Sequence, residues 1–299
     1  MVIRMAVAMS LSVRSYAKIN LHLEVLGRRP DGFHELTTVF QTVDLHDRLD
    51  VELTDAGVSL EILEGDAPAG RDNLVVRAAE AYLERWGVGG ARLGLHKRIP
   101  MGGGLGGGSS NAATTLLALD KLLGNPASAQ QLAELGRGLG ADVPFFLAGG
   151  RALGTGRGDE ISLLEDSRGM PLWLLTPPVH VATAEVFSAL GELTDRATVS
   201  SMEQLKGVSM ASGSGGPPGR NDLQDLVARR YPPVRQVCDA VMDAGVGWVL
   251  MSGSGGTVFC PRPDSTHASV IRARLPAGTK VFDCRTLSRS ELLNNWILD

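Results

Sequence analysis

Six of the seven residues from Gly102 to Gly108 are glycine, and the run leads directly into Ser109, Ser110 and Asn111. Glycine lets a backbone approach an anion and turn its N–H groups inward. The first N–H groups of a following helix have no partner within it, and the helix dipole is positive at that end. Ser109 and Ser110 add hydroxyl donors, so the segment is suited to holding phosphate. A flexible linker would be longer and serine-rich, and would not feed straight into a helix. The Walker pattern is excluded, because Gly-Lys-Ser/Thr occurs nowhere. Gly102, Gly104 and Gly107 satisfy GxGxxG, but a run this rich in glycine does so automatically. Pro100-Met101 also breaks the tight strand-to-helix turn of a dinucleotide site. The His-Arg-Asp and Asp-Phe-Gly partners of protein kinases are missing.

The elements around this loop read as mixed. Residues 12–16 and 19–26 read as strands, the second alternating with period two, and Arg28-Arg-Pro-Asp-Gly32 reads as a turn. Residues 36–43, 49–53, 58–63 and 91–97 read as further strands. Residues 73–86 carry the 3.6-residue apolar period of a helix. A helix is predicted over 112–123, with Ser109, Ser110 and Asn111 as N-cap candidates, and another over 128–139. Residues 141–147 are short, and Pro144 keeps them out of a central strand. Beyond residue 160 the pattern restarts, with strands near 172–175, 248–251, 257–260 and 281–282. Helices are predicted near 183–190, 222–230, 234–244 and 267–274, and a Ser/Gly/Pro-rich surface loop over 209–219. Strands and helices mixed without strict alternation argue for α+β rather than a doubly wound sheet.

Composition narrows the class. The chain has 299 residues, enough for two domains, divided here into 1–160 and 161–299. Hydrophobic residues are 43% and charged residues 21%, which excludes a mainly disordered chain or a rod. The formal net charge of −4 disfavours a nucleic-acid-coating protein. Cys238, Cys260 and Cys284 form no CxxC pair; such a sparse, odd set fits a reducing, cytoplasmic setting rather than a disulfide scaffold or a zinc site. No apolar run reaches 18 residues, so no membrane span is predicted. The first residues, from Met1 to Val13, read as a start extension entering the first strand rather than a signal peptide.

The segment Pro100-x-Gly-Gly-Gly-Leu-Gly-Gly-Gly-Ser-Ser-Asn-Ala-Ala113 resembles the ATP loop of the GHMP kinases. Ala17-Lys-Ile-Asn-Leu21 through Arg29-Pro-Asp-Gly-Phe-His-Glu-Leu36 resembles the N-terminal signature of one branch, the 4-diphosphocytidyl-2-C-methyl-D-erythritol kinases. Gly140-Ala-Asp-Val-Pro-Phe145 resembles its catalytic segment, and Ser252-Gly-Ser-Gly255 its third glycine motif. The motifs fall in family order from residue 17 to 256.

The resemblance implies a two-domain GHMP kinase fold, with an N-terminal domain like the second domain of ribosomal S5 and a ferredoxin-like C-terminal domain. It implies ATP and Mg²⁺ as cofactors and transfer to the 2-hydroxyl of a cytidylyl-methylerythritol acceptor. Asp142 falls at the position of the catalytic base; an arbitrary Asp before Val-Pro would equally suit a turn or an N-cap. Lys18 falls at the second catalytic position, though alternation alone allows a solvated lysine. Asn20, Phe33 and His34 map to substrate contacts, with Phe33 where members often have Tyr. Thr183 and Phe187 map to the far side of the cytosine site; spacing alone would make Phe187 a core residue. Asn73 and Lys97 map to the adenine side, with Pro100, Gly102, Gly103, Gly104, Leu105, Gly106, Gly107, Gly108, Ser109 and Ser110 as the ATP loop. Metal ligands stay unassigned. Tyr16 stands where the family usually has Pro.

The expected partner is a small molecule, with neither nucleic acid nor membrane, and the chain a monomer or homodimer. The rival readings are another GHMP kinase of the homoserine or phosphomevalonate type, a catalytically inactive nucleotide-binding protein, and a dinucleotide-dependent oxidoreductase. The Asp31-Gly-Phe-His34 segment argues against the first, because those substrates offer no base to stack. Lys18 and Asp142 argue against the second.

Overall fold

The computed structural model of the chain describes residues 10–87, 89–166, 169–190, 200–208 and 218–298. Residues 1–9 of the expected start extension and residues 209–217 of the loop expected over 209–219 lie outside them. The first part runs β1 (Ser10–Arg28), β2 (His34–Thr54), β3 (Gly57–Glu64), α1 (Leu74–Trp86), β4 (Gly90–His96), α2 (Gly107–Leu122), α3 (Ala129–Leu139), α4 (Val143–Ala148), β5 (Arg151–Thr155) and β6 (Glu160–Leu163). The second runs β7 (Pro171–Thr176), α5 (Thr183–Ala189), α6 (Met202–Gly207), α7 (Gln224–Arg230), α8 (Pro232–Asp243), β8 (Leu250–Met251) and β9 (Val258–Pro261). It ends with α9 (Ser265–Arg274), β10 (Lys280–Arg285), α10 (Arg289–Asn294) and β11 (Ile297–Leu298). The architecture is α+β.

Two sheets organise the chain. The larger has the order β11-β1-β2-β4-β3, with β5 pairing β2 and β6 pairing β5; the smaller, all antiparallel, has the order β10-β7-β9-β8. The four strand runs expected before residue 54 fuse into two long strands, because β1 and β2 pair antiparallel along almost their whole length. Register shifts at Tyr16/Lys18, Asn20/His22 and Val25/Gly27 bend this ribbon.

Strand alternation sorts the buried side chains. Ala17, Ile19 and Leu21 of β1 join Leu172 and Leu174 of β7 and Phe259 of β9 in a core between the sheets. The opposite phase of β7 and β9, Trp173, Leu175, Val258 and Cys260, packs against α8 through Val234, Val237 and Val241. A third cluster buries α1 and α2 on Leu49, Val51, Leu93 and Leu95 of β2 and β4.

Two local readings change. α2 begins at Gly107, earlier than the helix expected over 112–123, and its N-cap is Gly106, with φ +69° and no side-chain cap. Ser109, Ser110 and Asn111 therefore lie inside the helix and do not cap it. Ser110 and Asn111 are buried against β1: the Ser110 hydroxyl donates to the Tyr16 carbonyl (2.6 Å) and the Asn111 amide to Ser15 Oγ (2.8 Å). These contacts hold the helix to the sheet from its first turn. Residues 143–148 form α4, with Pro144 in the first turn, where a missing N–H costs nothing.

Candidate active site

A cleft of about 1210 Å³ opens beside the β1–β2 ribbon. It is lined by Lys18, Asn20, Phe33, His34, Asn73, Lys97, Pro100, Gly102 to Ser109, Asp142, Thr183 and Phe187. Of the catalytic, ATP-site and substrate-contact residues expected from the sequence, Ser110 alone does not line it. Its hydroxyl is turned to β1, and its N–H donates to the Gly106 carbonyl at 2.8 Å.

Lys18 and Asn20 lie two apart on β1, so they share one face of the strand. Ala17, Ile19 and Leu21 take the other face into the inter-sheet core, and Lys18, on the cleft face, is nevertheless buried rather than solvated. Lys18 Nζ donates to Asn20 Oδ1 at 2.6 Å and lies 3.4 Å from Asp142 Oδ2. The Asn20 amide is oriented by its other end: Nδ2 donates to Thr38 Oγ1 (2.7 Å), which donates to the His22 carbonyl (2.7 Å). Lys18 also stands over the Phe40 ring, 5.4 Å from its centroid, and Phe40 stacks on Phe145 of α4 at 4.7 Å. Asp142 occupies the N-cap position of α4 but makes no capping hydrogen bond; its carboxylate reaches towards Lys18 instead.

The glycine loop closes against the Ser252–Gly256 turn of the second sheet. Gly104 has φ +75°, and a Cβ there would overlap the Ser252 carbonyl oxygen, so only glycine satisfies both the backbone angle and the approach. Ser252 Oγ donates to the Gly104 carbonyl (2.9 Å), and Thr257 N to that of Gly103 (3.2 Å). Lys18 N donates to the Leu105 carbonyl (3.1 Å), joining loop and strand. Gly253 and Ser254 of the turn line the cleft, and a Cβ on Gly253 would sit 3.3 Å from Lys18 Nζ.

At the glycine end, Asn73 caps α1 by accepting from Val75 N (3.0 Å), and its amide donates to the Pro68 carbonyl (2.9 Å). Lys97 turns inward: Nζ pairs with Asp47 Oδ2 at 2.5 Å and donates to the Ile99 carbonyl at 2.9 Å. Asp47 is fully buried and also accepts from Arg98 N, Ile99 N and the Asn111 amide. Burial lowers the Lys97 pKa, and the Asp47 carboxylate opposes that shift. No spacing rule links positions 47 and 97, so the sequence carried no sign of this pair.

The opposite end is aromatic. The His34 and Phe187 rings lie 5.1 Å apart, tilted by 32°, and Phe33 is 55% exposed with the Arg157 guanidinium 4.9 Å from its centroid. Burial, with the neighbouring Arg28 charge, lowers the His34 pKa, so its imidazole is neutral near pH 7 and offers one donor and one acceptor. Thr183 Oγ1 shares a hydrogen bond with Ser254 Oγ at 2.7 Å. Arg28, Arg137 and Arg157 also line the cleft and were not singled out as site residues in the sequence.

Among the described residues no group of three or more His, Cys, Asp or Glu is placed to hold a metal ion, and no helix is long and apolar enough to cross a membrane.

The chain matches the models of the GHMP kinase N-terminal domain over residues 73–150 and of the GHMP kinase C-terminal region over 216–280. It is 40% identical over 274 residues to the 4-diphosphocytidyl-2-C-methyl-D-erythritol kinase of Pelotomaculum thermopropionicum, covering 89% of this chain and 94% of that one. To the enzyme of the same description from Desulfotalea psychrophila it is 41% identical, covering 93% of each. A crystal structure of 4-(cytidine 5'-diphospho)-2C-methyl-D-erythritol kinase superposes with a TM-score of 0.78 at 36% identity, over 92% of this chain and 99% of that one. The glycine loop, the Lys18–Asp142 pair and the aromatic end thus sit in a chain that belongs to the 4-diphosphocytidyl-2-C-methyl-D-erythritol kinases of the GHMP kinase family.

Proposed function

We propose that this chain transfers the terminal phosphoryl group of ATP to the 2-hydroxyl of 4-diphosphocytidyl-2-C-methyl-D-erythritol, in non-mevalonate isoprenoid precursor biosynthesis. The observation that carries this reading is one cleft with a glycine loop at one end, the exposed Phe33 ring and the His34–Phe187 ring pair at the other, and Lys18 with Asp142 on its wall. The ATP phosphates lie along the backbone of Gly102 to Gly108 and the Ser109 hydroxyl. Pro100, Leu105, Asn73 and Lys97 shape that end, Lys97 through its hold on Asp47 and the loop entry at Ile99. The cytosine stacks on Phe33, with His34 hydrogen-bonding its edge and Phe187 and Thr183 closing the far side.

Phosphoryl transfer requires positioning, charge stabilisation and an activated hydroxyl. Asp142 accepts the hydroxyl proton as the new O–P bond forms and the bond to the β-phosphate oxygen breaks. Lys18, held by Asn20, offsets negative charge on the group in transit. Magnesium in such a site keeps several waters and binds mainly through the substrate phosphates. That fits a cleft where, among the described residues, no cluster of three acidic, His or Cys side chains is placed to hold a metal ion, and the Ser109 hydroxyl and the Asp142 carboxylate would be among the oxygens beside the loop. When bound, it would supply charge neutralisation on the phosphates. We assign residues 1–160 to the ATP side and 161–299 to the closing side of the cleft.

The test is ADP release with Mg²⁺, ATP and the cytidylyl substrate, beside homoserine, phosphomevalonate and no acceptor. Turnover with the cytidylyl substrate alone is expected. Turnover with another acceptor in its place would overturn the assignment.

A further inference from the structure

The two lysines at the glycine end of the cleft are already engaged by the protein: Lys97 with Asp47, and Lys18 with Asn20 and Asp142. Arg157 is paired with Asp159 and lies over Phe33 at the aromatic end, where Arg28 stands beside His34. Arg137 differs. It lines the same cleft, is exposed, and among the described residues makes no hydrogen bond, ion pair or ring contact. It lies in the last turn of α3, five residues before Asp142, and Gly138 to Asp142 line the cleft continuously. That segment runs against the start of α2: a Cβ on Gly140 would lie 3.7 Å from Ser109 Oγ. Among the described residues Arg137 is therefore a cation of the cleft wall without a protein partner, on the helix whose end leads past Ser109, at Gly140, to the base. A guanidinium presents a planar fork of donors that matches phosphate oxygens, and it keeps its charge in any protein environment.

We propose that Arg137 is a further catalytic residue, whose guanidinium binds the terminal phosphate of ATP and stabilises its charge during transfer. This rests on the kinase reading above. The step stays balanced without it: the Pγ–O bond to ADP breaks, the electron pair leaves on the β-phosphate oxygen, the acceptor oxygen bonds to Pγ, and Asp142 takes the proton. Arg137 donates hydrogen bonds throughout and exchanges nothing. An arginine near the end of a helix also complements its dipole, and that role predicts a stability effect alone.

The experiment compares the parent with Arg137→Ala and Arg137→Lys in the full chain, reading kcat, KM for each substrate, melting temperature, and affinity for ADP and for a non-hydrolysable ATP analogue. The expected result for Arg137→Ala is a kcat at least about tenfold lower (a charge-assisted hydrogen bond contributing roughly 1.5 kcal/mol or more). The KM for the cytidylyl substrate is unchanged, affinity for the ATP analogue falls while that for ADP does not, and added free guanidinium restores part of the rate. Arg137→Lys falls between. A kcat within twofold of the parent, with only the melting temperature lowered, would overturn the proposal. If the parent shows no turnover with the cytidylyl acceptor, the kinase reading fails first. The binding arm then decides: selective loss of the ATP analogue supports a phosphate role for Arg137, and equal affinities for parent and variant overturn it.

Discussion

The Lys18 ammonium and the Asp142 carboxylate lie 3.4 Å apart, yet the lysine side chain is 4% exposed and the aspartate side chain 33%. The cation is fixed in the wall and the carboxylate faces the cleft, an arrangement suited to a stationary charge beside a group that must meet substrate. Removing either member tests the pair. Asp142→Asn is expected to lower kcat more than a hundredfold, about 2.7 kcal/mol of barrier, with ATP binding retained. Steady-state ADP release and equilibrium nucleotide binding check this together, and an unchanged kcat would remove Asp142 from the role of base.

Lys97 touches the cleft but is committed to Asp47. Lys97→Met is expected to destabilise the fold by about 3–5 kcal/mol, because it leaves a buried carboxylate without its cation. Urea denaturation measures the loss. A stable Lys97→Met protein with a raised KM for ATP would show instead that the ammonium serves the nucleotide directly.

Two glycines of the loop should respond in opposite ways. Gly104→Ala meets the Ser252 carbonyl and a positive φ, so loss of stability and of ATP binding together is expected. At Gly108 an added Cβ meets only Leu74 Cδ1, at 3.7 Å, inside a helix. Gly108→Ala is expected to raise helix stability by about 0.5–1 kcal/mol while raising the KM for ATP, since the methyl group occupies the approach of the phosphates. Thermal melts and KM values on the same two variants separate these effects, and an unaltered KM in Gly108→Ala would place the phosphates elsewhere on the loop.

Phe33 is exposed, with the Arg157 guanidinium over its ring. Phe33→Ala is expected to leave the melting temperature unchanged and raise the KM for the cytidylyl substrate about tenfold or more, given roughly 1–3 kcal/mol for stacking a base on an aromatic ring. Phe33→Tyr should keep the parent KM within a few-fold. A KM unmoved by Phe33→Ala would assign the base to another surface.

His22 lies buried on β1, its Nε2 without a hydrogen-bond partner and 3.7 Å from Glu24 Oε2, and its Nδ1 faces the Arg220 N–H. Burial lowers its pKa below 6.5, the neighbouring Glu24 and Asp222 charges oppose that shift, and the Arg220 charge adds to it. The unfolded chain then binds the proton more readily than the folded one. The stability this imidazole contributes is complete above pH 6.5 and is lost as pH falls through the lower, folded-state value. Melting curves should therefore show a falling stability below pH 6.5 that flattens in His22→Asn. An identical slope in parent and variant would assign the acid sensitivity to other groups.

The glycine loop was legible in the sequence because its signal is local: a run of glycines directly ahead of a helix start, an arrangement suited to meeting an anion. The strand and helix types were legible for the same reason, since periods of 2.0 and 3.6 are written in consecutive residues. The motif resemblance placed Lys18, Asp142, Phe33 and His34 along the chain, and one cleft gathers all four. What the sequence left open depends on partners distant along the chain. Only the glycine loop and the segment at Asp142, folded over the face of β1 opposite the inter-sheet core, bury Lys18, and only the carboxylate of Asp47 holds Lys97 away from solvent. Ser109, Ser110 and Asn111 all read as caps, but the helix starts at Gly107, so its phase sends Ser110 to β1 and leaves Ser109 on the cleft. Arg137 was not singled out in the sequence, and its lack of a partner among the described residues emerges only once its neighbours are in place. Local conformation follows from residue type and period, whereas the direction of a side chain follows from what the tertiary fold packs against it.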